Sequence, residues 1–276
     1  MLVDTHSHLN FNAFKDDHDE VIGQCLKNDI WLINVGSQYE TSKRAVEIAE
    51  KYDQGVYAAI GLHPIHAIPN PIDVNEVEPG FTTKPEIFDP QKYEALAQSK
   101  KVVAIGEIGL DYAYVKTEED KQAQKESFKQ QLALAQKLSL PVILHCRNAW
   151  EDLVKILQEF HEVQNTKYEI RSGVGHFFSG TKEDAEALIE MGFLISFTGV
   201  ITFTKDYDNL IKEIPLEKLM VETDCPYVTP IPFRGKKNLP LYVKYVAERI
   251  AELQGVSFSE VAKITTENAK KLFKLD

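Results

Sequence analysis

Cysteine is scarce in this chain. Cys25, Cys146 and Cys225 are the only three among 276 residues, odd in number and far apart. Neither a disulfide framework nor a C-x-x-C zinc site can be drawn from them, so a reducing, cytoplasmic compartment is expected. Positive charge is also short: 31 Lys and Arg stand against 42 Asp and Glu, a formal net charge of −11. A surface that acidic does not coat long nucleic acid by charge alone, although a bound metal inverts the potential locally. The charge-free stretch Met191–Thr204 is shorter than the ~18 residues that cross a bilayer, and no membrane association is expected. The opening MLVDTHSH has neither a basic nor an apolar leader region, so no secretory signal is expected. Repeats and low-complexity tracts are missing too. With 43% hydrophobic and 26% charged residues, the composition is that of a globular protein with enough chain for a large core. Disordered, collagen-like and coiled-coil classes are excluded.

What is present is an alternation. Short β-branched runs predict strands at Leu2–Thr5, Trp31–Val35, Val56–Gly61, Val102–Gly106, Val142–His145, Gly173–His176, Phe193–Phe197 and Lys218–Thr223. Polar stretches with apolar residues at three- and four-residue spacing predict helices between them. Examples are Asp17–Asn28, Thr41–Tyr52, Glu118–Leu138, Trp150–Phe160 and Lys182–Met191, and Pro240–Gln254 and Ser257–Phe273 follow the last strand. Ser257, Ser259 and Glu260 supply capping candidates for the final helix. Eight strand–helix repeats predict an α/β protein: a (β/α)8 TIM barrel, one domain over residues 1–276. An open doubly wound sheet would place a Gly-rich loop after strand one, where this chain has Thr5-His6-Ser7-His8. Residues Ile65–Pro90, rich in proline and acids, predict a long loop over one rim.

His6 and His8 stand two apart at a strand end, so both imidazoles face one way and can reach one ion. His63, His145 and His176 end strands three, five and six, and Glu107, Asp111 and Asp224 follow strands four and eight. In a barrel those ends converge on one mouth, where active sites of this fold lie. Imidazole with carboxylate suits Zn²⁺, Mn²⁺ or Fe²⁺, and Mg²⁺ where oxygens dominate. His18 and His161 read as helix-surface residues and His66 as a loop residue. Cys146 and Cys225 read as small buried apolar residues.

Six motifs carry a resemblance: Asp4-Thr-His6-Ser-His8, Gly61-Leu-His63-Pro64, Gly106-Glu107-Ile-Gly-Leu-Asp111-Tyr112, His145-Cys-Arg147, His176-Phe-Phe-Ser-Gly180 and Glu222-Thr-Asp224-Cys-Pro-Tyr227. With Arg234-Gly-Lys-Lys-Asn238 downstream, they resemble, in order, the TatD family of metal-dependent deoxyribonucleases. The resemblance implies a barrel hydrolase of the amidohydrolase type with two divalent ions, Mg²⁺, Mn²⁺ or Zn²⁺. It implies that His6, His8 and Asp224 hold one ion, that His145 and His176 hold the other, and that Glu107 bridges them. His63 would lie near the substrate phosphate. The long 65–90 loop and Cys225, where a small residue such as Ala or Ser is usual, depart from the family pattern.

On this assignment the mouth is a positive well in an acidic protein, suited to a phosphodiester. Asp224 is placed to take a proton from the attacking water or to orient it. Arg147 and Arg234 offer forked contacts to phosphate. Phe11, Tyr112, Phe177 and Phe178 offer faces for an unpaired base. DNA, single-stranded or at its ends, is the expected substrate, and no obligate protein partner is evident. A same-fold hydrolase of a small amide or ester, or of an aminoacyl-tRNA ester, and a non-catalytic module that keeps its metal, stay open beside it.

Overall fold

The computed structural model describes residues 1–69, 84–162 and 172–276. Its strands are β1 (Leu2–Ser7), β2 (Ile30–Val35), β3 (Val56–Ile60), β4 (Val102–Asp111), β5 (Val142–Arg147), β6 (Gly173–Gly175), β7 (Leu194–Phe197) and β8 (Leu219–Val221). They pair in parallel in sequence order, β1 to β8, as one eight-stranded sheet. The helices are α1 (His18–Lys27), α2 (Tyr39–Ala49), α3 (Pro90–Leu96), α4 (Glu118–Leu138), α5 (Trp150–Glu162), α6 (Lys182–Glu190), α7 (Asp208–Glu213), α8 (Val243–Gln254) and α9 (Phe258–Phe273). This is a (β/α)8 TIM barrel. Among the described residues no helix is long and apolar enough to cross a membrane.

The first and last strands meet at a seam. His8 N–H donates to Cys225 O and Asp224 N–H to His6 O, both at 2.9 Å. Asp4 adds a side-chain stitch: its carboxylate accepts from Thr223 N–H at 2.8 Å and from the Thr223 hydroxyl at 2.6 Å. Burial pushes the Asp4 carboxyl well above its ordinary value, against the pull of the Thr223 hydrogen bonds.

Side-chain alternation then sorts the core. One cluster takes Val3, Ile33, Tyr57, Val103, Ile143, Val174, Leu194 and Met220, at least one from each strand, and lies inside the barrel with Phe273 and Leu275 joining it. The larger cluster, with Leu32, Ile60, Phe128, Leu132, Leu144 and Ile250, lies between sheet and helices. Caps close the helices. Ser257 accepts from Glu260 N–H at the start of α9, as the sequence predicts. Gly255, at φ 69°, ends α8 in the left-handed conformation that glycine adopts without penalty.

The structure corrects some boundaries. β4 does not stop at Gly106 but runs to Asp111, so Glu107 and Asp111 lie in the strand rather than after it. The short helices α3 and α7 are additional to those expected. Of the 65–90 loop, residues 70–83, including Asp73, Glu76 and Glu78, lie outside the described residues. At its return, Glu86 does not stand free: its carboxylate accepts from Tyr39 N–H at 3.2 Å and from the Tyr93 hydroxyl at 3.0 Å.

Candidate metal centre

The strand ends bring six side chains to one point by way of two irregularities. β1 slips register against β2 between Asp4 and Ser7, and β4 slips against β5 between Ile105 and Ile108. Such bulges re-aim the side chains within them; here they contain His6 and Glu107. Asp224 sits at φ 56° and Phe177 at φ 42°. Asp tolerates that conformation, whereas a bulky residue is strained there. Phe177 is held by its N–H, which donates to Glu222 Oε1 at 2.7 Å.

Helix α4 fixes two of the strand ends. Gln131, buried, pairs its carboxamide with the backbone of Leu62: Oε1 accepts from N–H at 2.8 Å and Nε2 donates to O at 2.9 Å. Gln124 treats Asp111 the same way, at 2.9 Å in both directions. Their seven-residue spacing puts both amides on one helix face, so α4 sets His63 and Asp111 relative to each other. Gly109, between Glu107 and Asp111, has φ 142° and packs so tightly against His145 O that a Cβ would collide with it.

Glu107 is the hub. Its Oε2 lies 3.4 Å from His6 Nε2. Its Oε1 lies 2.7 Å from His145 Nδ1, 3.4 Å from His63 Nε2 and 3.5 Å from His176 Nε2. Asp224 Oδ1 lies 3.3 Å from His8 Nε2 and 3.9 Å from both His6 Nε2 and His176 Nε2. His6, His8 and Glu107 place ligand atoms within 4.8 Å of one another, and so do Glu107, His145 and His176. These are two triads that share one carboxylate.

The donor chemistry fits divalent cations. His8 Nδ1 lies 2.8 Å from Val35 O, an acceptor only, so it carries the proton. Nε2 is then a lone pair, 3.2 Å from His6 Nε2 and facing the Asp224 carboxylate. Buried lone pairs and carboxylate oxygens turned on a common point are what a cation satisfies. His6 Nδ1 has no hydrogen-bond partner. Burial, then the neighbouring His176, pushes His6 down to about 3, keeping it a neutral ligand. Glu107 is also buried, which raises its carboxyl, but the histidines around it outweigh burial and hold it well below the carboxylate range. Burial lowers His145, but Asp111 and Glu107 on its two nitrogens raise it to about 10. Burial likewise opposes His176, which Glu222 and Glu107 raise to about 9.

His63 differs. Its Nδ1 accepts from Ile65 N–H at 3.1 Å, so a neutral ring carries its proton at Nε2 and offers Glu107 an N–H rather than a lone pair. The six expected ligands and His63 are thus brought together. Arg147 and Arg234 are not in the cluster. Arg147 donates to the Tyr114 hydroxyl at 3.3 Å, and Arg234 donates to Thr229 O at 2.8 Å. Phe178 is fully buried against Trp150 and Phe197 and offers no face to a substrate. Phe11 stacks on His8 at 4.2 Å, and Tyr112 donates to Asp152 at 2.8 Å.

Two participants escape the sequence-based ligand set. Asp111 Oδ2 lies 3.1 Å from His145 Nε2, and Glu222 Oε1 lies 2.8 Å from His176 Nδ1. Both acids lie inside the motifs, but their positions behind the ligands depend on depth in the barrel, which spacing does not encode. Cys146 and Cys225 are buried, as expected. His66 is buried too, with Nδ1 3.2 Å from Lys84 O. The side chain of His161 lies outside the described residues.

Residues 3–274 match the family model described as TatD related DNase. Over the whole of both chains, the sequence is 44% identical to the uncharacterized metal-dependent hydrolase YabD of Bacillus subtilis. It is 34% identical to the uncharacterized metal-dependent hydrolase YcfH of Escherichia coli K12, covering 100% of this chain and 96% of that one. Among solved structures, YjjV, a TatD homolog from Escherichia coli K12, superposes with a TM-score of 0.83 at 28% identity, covering 100% of this chain and 98% of its own.

Proposed function

Since this chain belongs to the TatD-related family and is a metal-dependent hydrolase, we propose that it is a deoxyribonuclease cleaving phosphodiester bonds at the ends of single-stranded DNA, 3′ to 5′. The observation that carries the reading is the pair of donor triads sharing Glu107 at the open end of the barrel. Two divalent ions held there would supply positive charge for the phosphate and lower the pKa of the attacking water.

The side chains divide the remaining work. His6, His8 and Asp224 would hold one ion, His145 and His176 the other, and Glu107 would be shared between them. The Val35 carbonyl and Glu222 orient His8 and His176 from behind, fixing which nitrogen faces the centre. The Asp224 carboxylate would take the proton of the water. His63 Nε2–H donates to a phosphate oxygen, the role its tautomer permits. Arg147, exposed beside the mouth, meets an outer phosphate. Three reduced, buried thiols suit a cytoplasmic enzyme.

The test is a panel of labelled single-stranded DNA, duplex DNA, aminoacyl-tRNA and small esters, each with Mg²⁺, Mn²⁺ and Zn²⁺. The expected result is stepwise shortening of the single strand from its 3′ end, abolished by EDTA. Turnover of esters with intact DNA would overturn it.

A further inference from the structure

The loops after β7 and β8 stand beside the metal centre and differ from the rest of the surface. From Cys225 to Ala247 there is no acid, while Arg234, Lys236, Lys237 and Lys244 are basic, in a chain of net charge −11. Aromatic rings are interleaved with these cations. The Arg234 guanidinium lies 3.9 Å over the ring of Phe203. Lys236 lies 5.6 Å over Phe233 and Lys244 4.7 Å over Tyr245. Phe233 stacks on Tyr242 at 4.3 Å, with Tyr245 edge-on at 5.6 Å. Lys237 is tied to Asp17 at 2.7 Å. Among the described residues Lys236 and Lys244 meet no carboxylate, and their contacts are with the rings. Phe203 is 37% and Ile231 50% exposed, unusual for side chains of their size.

The strip is rigid. Ile231 N–H donates to the Thr202 hydroxyl at 3.0 Å, joining the two loops. Arg249 anchors α8 beneath them: Nε donates to Ile201 O at 3.2 Å, and Nη2 to both Asp208 oxygens at 2.8 Å. Arg234 is therefore a fixed plane: one face covers Phe203, Nη1 is given to Thr229 O, and the residue is exposed to solvent. A guanidinium held flat in this way is a stacking surface for a base. A duplex hides its base faces, whereas a single strand offers them.

Resting on the nuclease reading above, we propose that this strip receives the single strand that leads to the scissile end. One unpaired base stacks on Arg234, and Lys236 and Lys244 hold two backbone phosphates. Arg234 thus acts through its plane rather than as the phosphate fork expected from sequence.

The test is fluorescence anisotropy with the Mn²⁺-loaded full chain and dT12 or dT2 protected by phosphorothioate linkages against cleavage. The expected result is tighter binding of dT12 than of dT2 or of a duplex of the same length. Lys236→Ala with Lys244→Ala should flatten the log–log salt dependence of dT12 binding by about 1.4, roughly 0.7 per phosphate on a single strand. Arg234→Lys keeps the charge but loses the plane, and should weaken dT12 binding about fivefold or more, as Arg234→Ala does. Equal affinity for dT12 and dT2, an unchanged salt slope, or wild-type affinity in Arg234→Lys would overturn the strip. A protein that binds protected dT12 through these residues but leaves unprotected dT12 uncut would sink the nuclease reading and keep the strip.

Discussion

His8 and His63 carry the same ring in opposite tautomers. His8 spends its Nδ1 proton on Val35 O, and His63 receives a backbone N–H at Nδ1. On the proposed assignment the difference separates ligand from hydrogen-bond donor. His8→Ala should lower bound metal, read by elemental analysis of protein purified without chelator. His63→Ala should keep its metal and lose turnover, and His63→Gln, which retains an N–H, should recover part of the loss. Glu107 and Asp224 should also fail differently. Glu107→Ala removes the carboxylate common to both triads and should lose metal. Asp224→Asn keeps a coordinating oxygen but little basicity; metal should stay while kcat falls by roughly 10²–10⁴, the scale of general-base loss. Near-normal turnover in Asp224→Asn would take the proton-acceptor role from it. Full occupancy in Glu107→Ala would show that Glu107 is not shared.

Elements place these residues, and the sequence displays some of them more plainly than others. The strands show in the sequence because their buried β-branched runs differ so plainly from the amphipathic helices between them. His145 and His176, at strand ends, follow directly. The bulges at His6 and Glu107 do not, because register is a property of two strands and the sequence displays one at a time. Helices α3 and α7, at Pro90–Leu96 and Asp208–Glu213, are too short to establish a period. The glutamine clamps are hidden for another reason: on a polar helix, Gln124 and Gln131 look like solvated residues. Their burial makes them consequential. Gln131→Met would fill the space but leave Leu62 N–H and O unpaired, a cost of about 2 kcal/mol. Gln130→Met, at an exposed position, should change stability by less than about 0.5 kcal/mol. Denaturant titration of the two variants checks the contrast, and equal midpoints would show that the clamp bears no load.

At the scale of the whole molecule, the proposed ligands come from β1, β4, β5 and the segments just after β1, β6 and β8, so metal and fold should be coupled. An ion that binds only the folded state stabilises it by mass action, about 2.7 kcal/mol at a hundredfold excess over Kd. Saturating Mn²⁺ should therefore raise Tm, EDTA should reverse the rise, and Glu107→Ala should show little of it; calorimetry with and without chelator measures all three.

The seam between β1 and β8 also orders events in time. Asp4 and Thr223, which stitch it, are 219 positions apart, and His6 and His8 leave the ribosome long before Asp224 does. At roughly 5–20 residues per second, the wait is on the order of 10–45 s. During that interval the nascent chain holds imidazoles without the last carboxylate of the centre or the strand that closes the ring. A prematurely terminated product remains in that state permanently. A fragment broken off before β8 therefore lacks both that carboxylate and the closing strand.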